Sequence, residues 1–178
     1  MEVTIRRART TDVRAVRRLI DGYSRDGILL DKPTVTLFES VQEFWVAERD
    51  DTGLVVACGA LHVMWEDLAE VRTLAVDPSC LGEGVGHLLL EKLLQTARWL
   101  GVRRIFCLTF EVAFFAKHGF VEIGEVYEAD DGTTDPAAIA TDVYEELLRS
   151  YDEGVAEFLD LERVKPNTLG NSRMLLHL

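Results

Sequence analysis

The chain has 178 residues, 48 % of them hydrophobic and 28 % charged, which is the size and composition of a globular domain. A formal net charge of −12 argues against the basic stripe that nucleic-acid binding needs, and no apolar run approaches the ~20 residues of a membrane span. Cys58, Cys80 and Cys107 are scattered without metal-ligand spacing, so we expect buried thiols in a cytoplasmic protein and no metal; MEVTIRRART also lacks the apolar stretch of a secretory signal.

In chain order, VTIRRA reads as a first strand. TTDVRAVRRLIDGYS reads as a helix with Thr11 or Asp12 as N-cap, because Val13, Val16, Leu19 and Ile20 fall on one helical face. GILLDKP is a loop or broken helix ending before Pro33. Phe44 to Glu48 and Leu54 to Val63 flank an Asp-Asp-Thr-Gly turn as a β-hairpin. EVRTLAVDP is a strand closed by Pro78, and Val85, Leu88, Leu89, Leu93, Ala97 and Leu100 then form an apolar helical stripe closed by Gly101. RRIFCLT is a short, nearly continuous apolar strand of the kind buried in a parallel pair. AFFAKHGF is a short helix stopped by Gly119, residues 127–136 are rich in turn formers, AIATDVYEELLRSYDEGVAEFL reads as helix, and SRMLLHL is a last strand. Strand 70–76, helix 84–100 and strand 103–109 make one βαβ crossover, whereas the other strand pairs are hairpins, so the sheet should be mixed.

Charge is unevenly placed. Residues 122–162 hold fourteen Asp and Glu against one Arg, and Arg6, Arg7, Arg9, Arg14, Arg17 and Arg18 gather near the start; both clusters read as solvated faces.

The stretch DPSCLGEGVGHLLL places three glycines at the start of a helix, where unpaired N–H groups and the positive end of the dipole favour an anion. A Walker loop needs Lys then Ser or Thr after its last glycine, but His87 and Leu88 follow Gly86. A dinucleotide loop needs G-x-G-x-x-G hard against its strand, whereas the spacing here is G-x-G-x-G with Asp77 to Leu81 in between. The pyrophosphate arm of coenzyme A fits better: Gly84 and Gly86 let backbone approach, and the N–H groups of Gly82, Glu83, Gly84, Val85, Gly86 and His87 would face the diphosphate.

VRTLAVDP followed by SCLGEGVGHLLL resembles the acetyl-CoA motif of the GCN5-related N-acetyltransferases, and FFAKHGF resembles their later F-Y-x-x-x-G-F segment, with order and spacing agreeing over residues 3–123. Leu81 stands where that family usually has Arg or Gln. The resemblance implies an α/β (α+β) fold with a mixed, mostly antiparallel sheet, whose central parallel strands splay around the pantetheine arm of acetyl-CoA. It implies cofactor contacts from Leu74, Ala75, Val76, Thr109 and Phe115, with the Leu74 N–H holding the oxyanion of a tetrahedral intermediate. Glu70 matches the glutamate that serves some members as general base, the other reading being a strand-end glutamate in solvent. Phe115 replaces the tyrosine acid of the family, a tolerable loss because the leaving thiol has a pKa of about 8.5.

Within that family, DGILLDK, AEVRTLAV, IFCLTF and GNSRMLLHL resemble segments of the N-acetylglutamate synthases of arginine biosynthesis, in particular their short single-domain form. The resemblance implies one domain over 1–178 with an insertion around 127–145, and acetyl transfer to the α-amine of L-glutamate, with L-glutamine left open. Lys32 takes the place of a clamping Arg and Ser172 keeps a terminal serine; Gly170 and Asn171 replace an Arg-Arg pair, for which Arg173 or Arg72 could substitute. A homodimer is compatible with the likeness. Two other readings stay open: an enzyme acetylating a protein lysine or another small amine, and an acetyl-CoA-binding module without catalysis.

Overall fold

The structure is a computed structural model and describes residues 2–29, 31–124, 137–162 and 170–178. Its strands are β1 (Val3–Arg7), β2 (Phe44–Arg49), β3 (Val55–Trp65), β4 (Leu68–Val76), β5 (Arg104–Thr109), β6 (Val121–Glu122) and β7 (Ser172–His177). Its helices are α1 (Val13–Ser24), α2 (Thr34–Glu39), α3 (Val85–Leu100), α4 (Val112–Ala116), α5 (Thr141–Leu147) and α6 (Glu153–Phe158). The strands are hydrogen-bonded in the order β1-β2-β3-β4-β5-β7-β6. β1–β2, β2–β3, β5–β7 and β6–β7 are antiparallel and β4–β5 is parallel, so the sheet is mixed and mostly antiparallel, as the sequence implies. The chain gathers into two compact units, Met1–His62 with Val71–Gly101, and Val63–Glu70 with Val102–Leu178.

In the first unit, alternation along the strands sends neighbouring side chains to opposite faces. Phe44 and Val46 of β2, Cys58 and Ala60 of β3 and Ala75 of β4 pack with Val13, Val16, Leu19 and Ile20 of α1 and Leu37 of α2. Ala47, Val56 and Ala57 belong to a second cluster with Val85 and Leu89 of α3. The stripe read for α1 is the face that helix buries, whereas the stripe read for α3 is only partly so: Val85, Leu89, Leu93 and Ala97 are buried together with Leu90 and Leu94, and Leu88 and Leu100 are exposed. The N-terminal arginines are not a free basic patch: Arg6 pairs with Asp12 and Glu48, and Arg17 pairs with Asp21 and Asp31.

Asp12 holds the N-cap position of α1, after a short 3-10 turn over Thr10–Asp12, but its side chain makes no cap hydrogen bond to the helix. Its carboxylate turns back to accept from the Arg9 N–H at 2.7 Å and from the Arg6 guanidinium.

In the second unit, Leu68, Phe106 and Leu175 from the strands pack against Ile139, Leu147, Val155 and Phe158. Phe106 and Phe158 meet edge to face at 5.4 Å between ring centroids. The single helix expected over 138–159 is two short ones, Thr141–Leu147 and Glu153–Phe158. Between them the Ser150 hydroxyl accepts from the Asp152 N–H at 3.1 Å, and the Asp152 carboxylate accepts from the Val155 N–H at 3.2 Å. Such short polar side chains compete with helical backbone bonding, and here they restart the helix. Residues 127–136 of the expected insertion lie outside the described residues; beyond them Ala137, Ile139 and Leu147 are buried in this unit's core.

Candidate functional site

In the first unit, β4 runs into a turn built for backbone exposure. The Asp77 N–H donates to the Val56 carbonyl at 2.7 Å, and the Asp77 carboxylate accepts from the Ser79 N–H and hydroxyl at 3.0 and 2.7 Å. Those two bonds hold the Asp77 carboxyl below its ordinary value. Gly82 and Gly84 follow with φ of +81° and +80°, left-handed backbone that side-chain-bearing residues adopt at a cost. Helix α3 then begins at Val85 with no side-chain cap. The first-turn N–H groups are thus presented at the positive end of a 16-residue helix, an anion-binding arrangement. The glycine pair that shapes the turn is Gly82 and Gly84; Gly86, which the sequence suggested beside Gly84, sits inside the first turn of α3. Glu83 and His87 are exposed, as is Leu81 in the place of the family's Arg or Gln.

The end of β4 is equally specific. Thr73 is a buried, β-branched residue with φ of +57°, a strained left-handed backbone conformation. Its carbonyl faces the Cys58 thiol of β3 at 3.6 Å, and the Ala75 N–H donates to the same sulfur. Because each trans peptide points its N–H and C=O in opposite directions, three peptides are fixed. The Thr73 carbonyl and the Ala75 and Asp77 N–H groups point toward β3. The Leu74 N–H, the Leu74 C=O and the Val76 C=O therefore point away from it, and strand alternation turns the Val76 N–H the same way. The parallel ladder to β5 pairs Leu68–Glu70 with Arg104–Phe106 and goes no further, so Leu74 and Val76 lie beyond it.

Glu70, the last β4 residue in that ladder, is buried at 5 % exposure rather than standing in solvent. In the second unit it lies close enough to the Cys107 thiol that burial first and the Glu70 carboxylate second push that thiol well above its ordinary value. Thr109 ends β5, and its hydroxyl accepts from the Glu111 N–H at 2.8 Å. Phe115 is buried edge to face against Phe114 and Phe120, each at 5.2 Å, so the ring at the family's tyrosine position is part of an aromatic cluster.

The remaining sequence candidates divide between the units. Lys32 and Arg72, both half-buried, belong to the first. The Lys32 carbonyl accepts from the Arg17 guanidinium, and its ammonium has no hydrogen-bond partner among the described residues. Asn171, Ser172 and Arg173 belong to the second. The Asn171 side-chain oxygen is buried without a hydrogen-bond partner, and Ser172 donates to Glu122 at 2.6 Å. Arg173 donates to the carbonyls of Glu157 at 3.0 Å, Gly124 at 2.7 Å and Phe158, which ties β7 to α6. That geometry is a structural tie rather than the open clamp the sequence suggested.

Three residues escaped the sequence reading. Cys58 was read only as a buried thiol. Glu122 meets Ser172 because β7 lies between β5 and β6, which local pattern does not reveal. Glu43 lies 2.8 Å from Nδ1 of His62, and the hairpin register Phe44↔Ala60 is the signal that could have paired them. Among the described residues no group of three or more His, Cys, Asp or Glu could hold a metal, and no helix is long and apolar enough to cross a membrane.

Comparison with known proteins agrees with this geometry. The family described as acetyltransferase (GNAT) domain matches residues 40–122. An amino-acid acetyltransferase of Mycobacterium tuberculosis is 57 % identical over 173 residues, 97 % of this chain and 92 % of that protein. A Mycobacterium tuberculosis crystal structure in complex with CoA and NLQ is 56 % identical with a TM-score of 0.88, over 98 % of this chain and 99 % of that one. The N-acetylglutamate synthase of Neisseria gonorrhoeae, complexed with coenzyme A and N-acetyl-glutamate, shares the fold at 24 % identity and a TM-score of 0.71; the match covers all of this chain and 35 % of that one. The chain belongs to the GNAT family of acetyltransferases.

Proposed function

We propose that this chain transfers the acetyl group of acetyl-CoA to the α-amine of L-glutamate or L-glutamine, the step that opens arginine biosynthesis. The observation that carries the reading is the 57 % identity, over nearly the whole of both chains, to an amino-acid acetyltransferase. The turn at Gly82 and Gly84, placed directly after an outward-facing pair of backbone groups at Leu74 and Val76, supports acetyl-CoA as donor. The first-turn N–H groups from Gly82 to His87 hold the diphosphate, and Leu74 and Val76 pair with the pantetheine arm.

The amine attacks the thioester directly, without a covalent enzyme intermediate. The Leu74 N–H donates to the oxyanion as the carbonyl becomes tetrahedral. Glu70, on the same strand, takes the amine's proton directly or through water. The C–S bond then breaks, and the thiolate leaves without a protein acid, since its conjugate acid has a pKa of about 8.5. Lys32 and Arg72 are the cations proposed to meet the amino acid's carboxylate; the Ser172 hydroxyl donates to Glu122 and has its acceptor lone pairs left to offer. At the start of β7 the groups on offer are Glu122 and the unpartnered Asn171 oxygen, with Arg173 engaged by carbonyls. Acceptors there favour a carboxamide side chain, which keeps glutamine in view beside glutamate. The whole chain acts as one acyltransferase domain in the cytoplasm, compatible with a homodimer.

The test is thiol release from acetyl-CoA with each of the twenty amino acids offered separately. Turnover confined to glutamate or glutamine is expected. Silence across the panel with CoA binding retained would overturn the substrate assignment in favour of a peptide lysine, another small amine or a non-catalytic role.

A further inference from the structure

The hydroxyl of Tyr23, in the last turn of α1, donates to the Val76 carbonyl at 2.5 Å. That carbonyl is one of the β4 groups pointing away from β3, because the Asp77 N–H of the same peptide is bonded to Val56. The same helix also sends Arg18 to the Val55 carbonyl at 2.8 Å, so α1 is fixed to the start of β3 as well as to the end of β4. With the Val76 carbonyl occupied, three outward groups remain at this end of the strand: the Leu74 N–H, the Leu74 C=O and the Val76 N–H. The single open acceptor among them is the Leu74 carbonyl.

A pantetheine arm carries two amide N–H groups and repeats its hydrogen-bonding pattern much as a strand does. Pairing of this kind slips by one pleat repeat, about 7 Å, when nothing specifies register. A slip toward Asp77 would use the Val76 carbonyl as acceptor and carry the thioester away from the Leu74 N–H. We infer that Tyr23 is a positioning residue that sets the register of the acyl-pantetheine arm on β4 by closing the Val76 carbonyl to it. The inference rests on the proposed acetyl-CoA reading and adds a residue that reading does not use. Removing the hydroxyl creates a second place for the arm to bind, not a weaker first one.

That distinction gives the test. In Tyr23→Phe the ring and its packing stay, and only the donor is lost. Binding in a slipped, unproductive register lowers kcat and the KM for acetyl-CoA together and leaves kcat/KM nearly unchanged. An exchanged hydrogen bond of ordinary strength corresponds to a fall in both of about three- to tenfold. The KM for the amino acid should not move. A rise in the KM for acetyl-CoA at constant kcat, or no change in either constant, would overturn the inference while wild-type enzyme still binds CoA by calorimetry. Wild-type protein that binds no CoA would overturn the acetyl-CoA reading, and this inference with it.

Discussion

The thiol of Cys58 and the carbonyl of Thr73 meet at 3.6 Å across β3 and β4, and the same sulfur accepts the Ala75 N–H. Left-handed backbone inside a strand turns peptide groups out of ladder geometry, and a buried unpaired group is costly. Here one soft atom serves as donor and acceptor on either side of Leu74, whose N–H is thereby fixed outward. Burial pushes the thiol up to about 12, so it stays protonated and can donate at any working pH. Cys58→Ala should lower kcat about tenfold, the equivalent of one hydrogen bond, with little change in the KM for the amino acid. Cys58→Ser, which keeps a donor and an acceptor, should retain more activity than the alanine variant. Steady-state kinetics decide it, and equal activity of the two variants would show that the sulfur does not set the strand.

The glycine turn makes a second, separable claim. A methyl group at Gly84 would meet no atom within 4 Å, so Gly84→Ala costs conformation and not space. With φ at +80°, that cost is about 1–2 kcal/mol. If the loop relaxes to avoid it, the KM for acetyl-CoA should rise about tenfold while the KM for the amino acid stays constant. Gly86→Ala, inside the helix, should be far milder. A reversed order of the two variants would place the essential turn at Gly86.

Glu70, the proposed base, is buried and stands four residues before Leu74 on one strand. Glu70→Gln keeps the shape and removes the proton acceptor. A general base contributes typically 10²–10⁴-fold, so a loss on the order of 100-fold is expected at pH 7. The deficit should shrink as pH rises and the amine deprotonates in solution. A pH–rate profile parallel to that of the wild type would exclude the base role.

How much of this could be read from residues alone depends on how local the cause is. Helices α1 and α3, the hairpin around Asp51–Gly53 and the βαβ unit all follow from periodicity and turn residues, and they form, although Leu88 and Leu100 of the α3 stripe face outward. The break between α5 and α6 was missed because the apolar pattern from 139 to 158 is helical throughout, and two polar side chains overrule it. The identity of the turn-forming glycines was half legible. Spacing announces a loop, but which glycines take left-handed backbone depends on where the helix starts, and it starts at Val85. Cys58 and Thr73, or Glu122 and Ser172, come together only through strand pairing between distant segments. Arg173 illustrates the same limit from the other side, since its charge looked available until three carbonyls were seen to hold it.

That contrast between cations predicts opposite phenotypes. Lys32 has a free ammonium among the described residues, whereas Arg173 ties β7 to α6. Lys32→Ala should remove one charge-assisted bond to the substrate carboxylate, about 1.5–3 kcal/mol, or about 10–100-fold in the KM for the amino acid. Its acetyl-CoA KM and its melting temperature should stay near wild type. Arg173→Ala should mainly lower the melting temperature. The exchange of these two patterns would make Arg173 the clamp and Lys32 a surface charge.

The Arg6–Asp12 pair offers a prediction in pH. The Arg6 hydrogen bond chiefly holds the Asp12 carboxyl below its ordinary value, against the opposing effect of burial, with the Arg9 N–H adding to it. Asp12 is 7 % exposed, so its charge is poorly hydrated and depends on those partners. A carboxyl depressed in the folded state stabilises it at pH values above the unfolded pKa of about 3.9, and that contribution disappears as pH falls through the folded-state value. Asp12→Asn should therefore cost on the order of 2 kcal/mol at pH 7, leaving Arg6 with Glu48 as its remaining ion-pair partner. The gap between wild type and variant should hold down to about pH 5, then narrow, and close once the wild-type carboxyl is protonated in both states. Denaturant melts of both proteins from pH 7 to pH 2 measure it, and a gap that does not change with pH would assign the loss to packing instead of the ion pair.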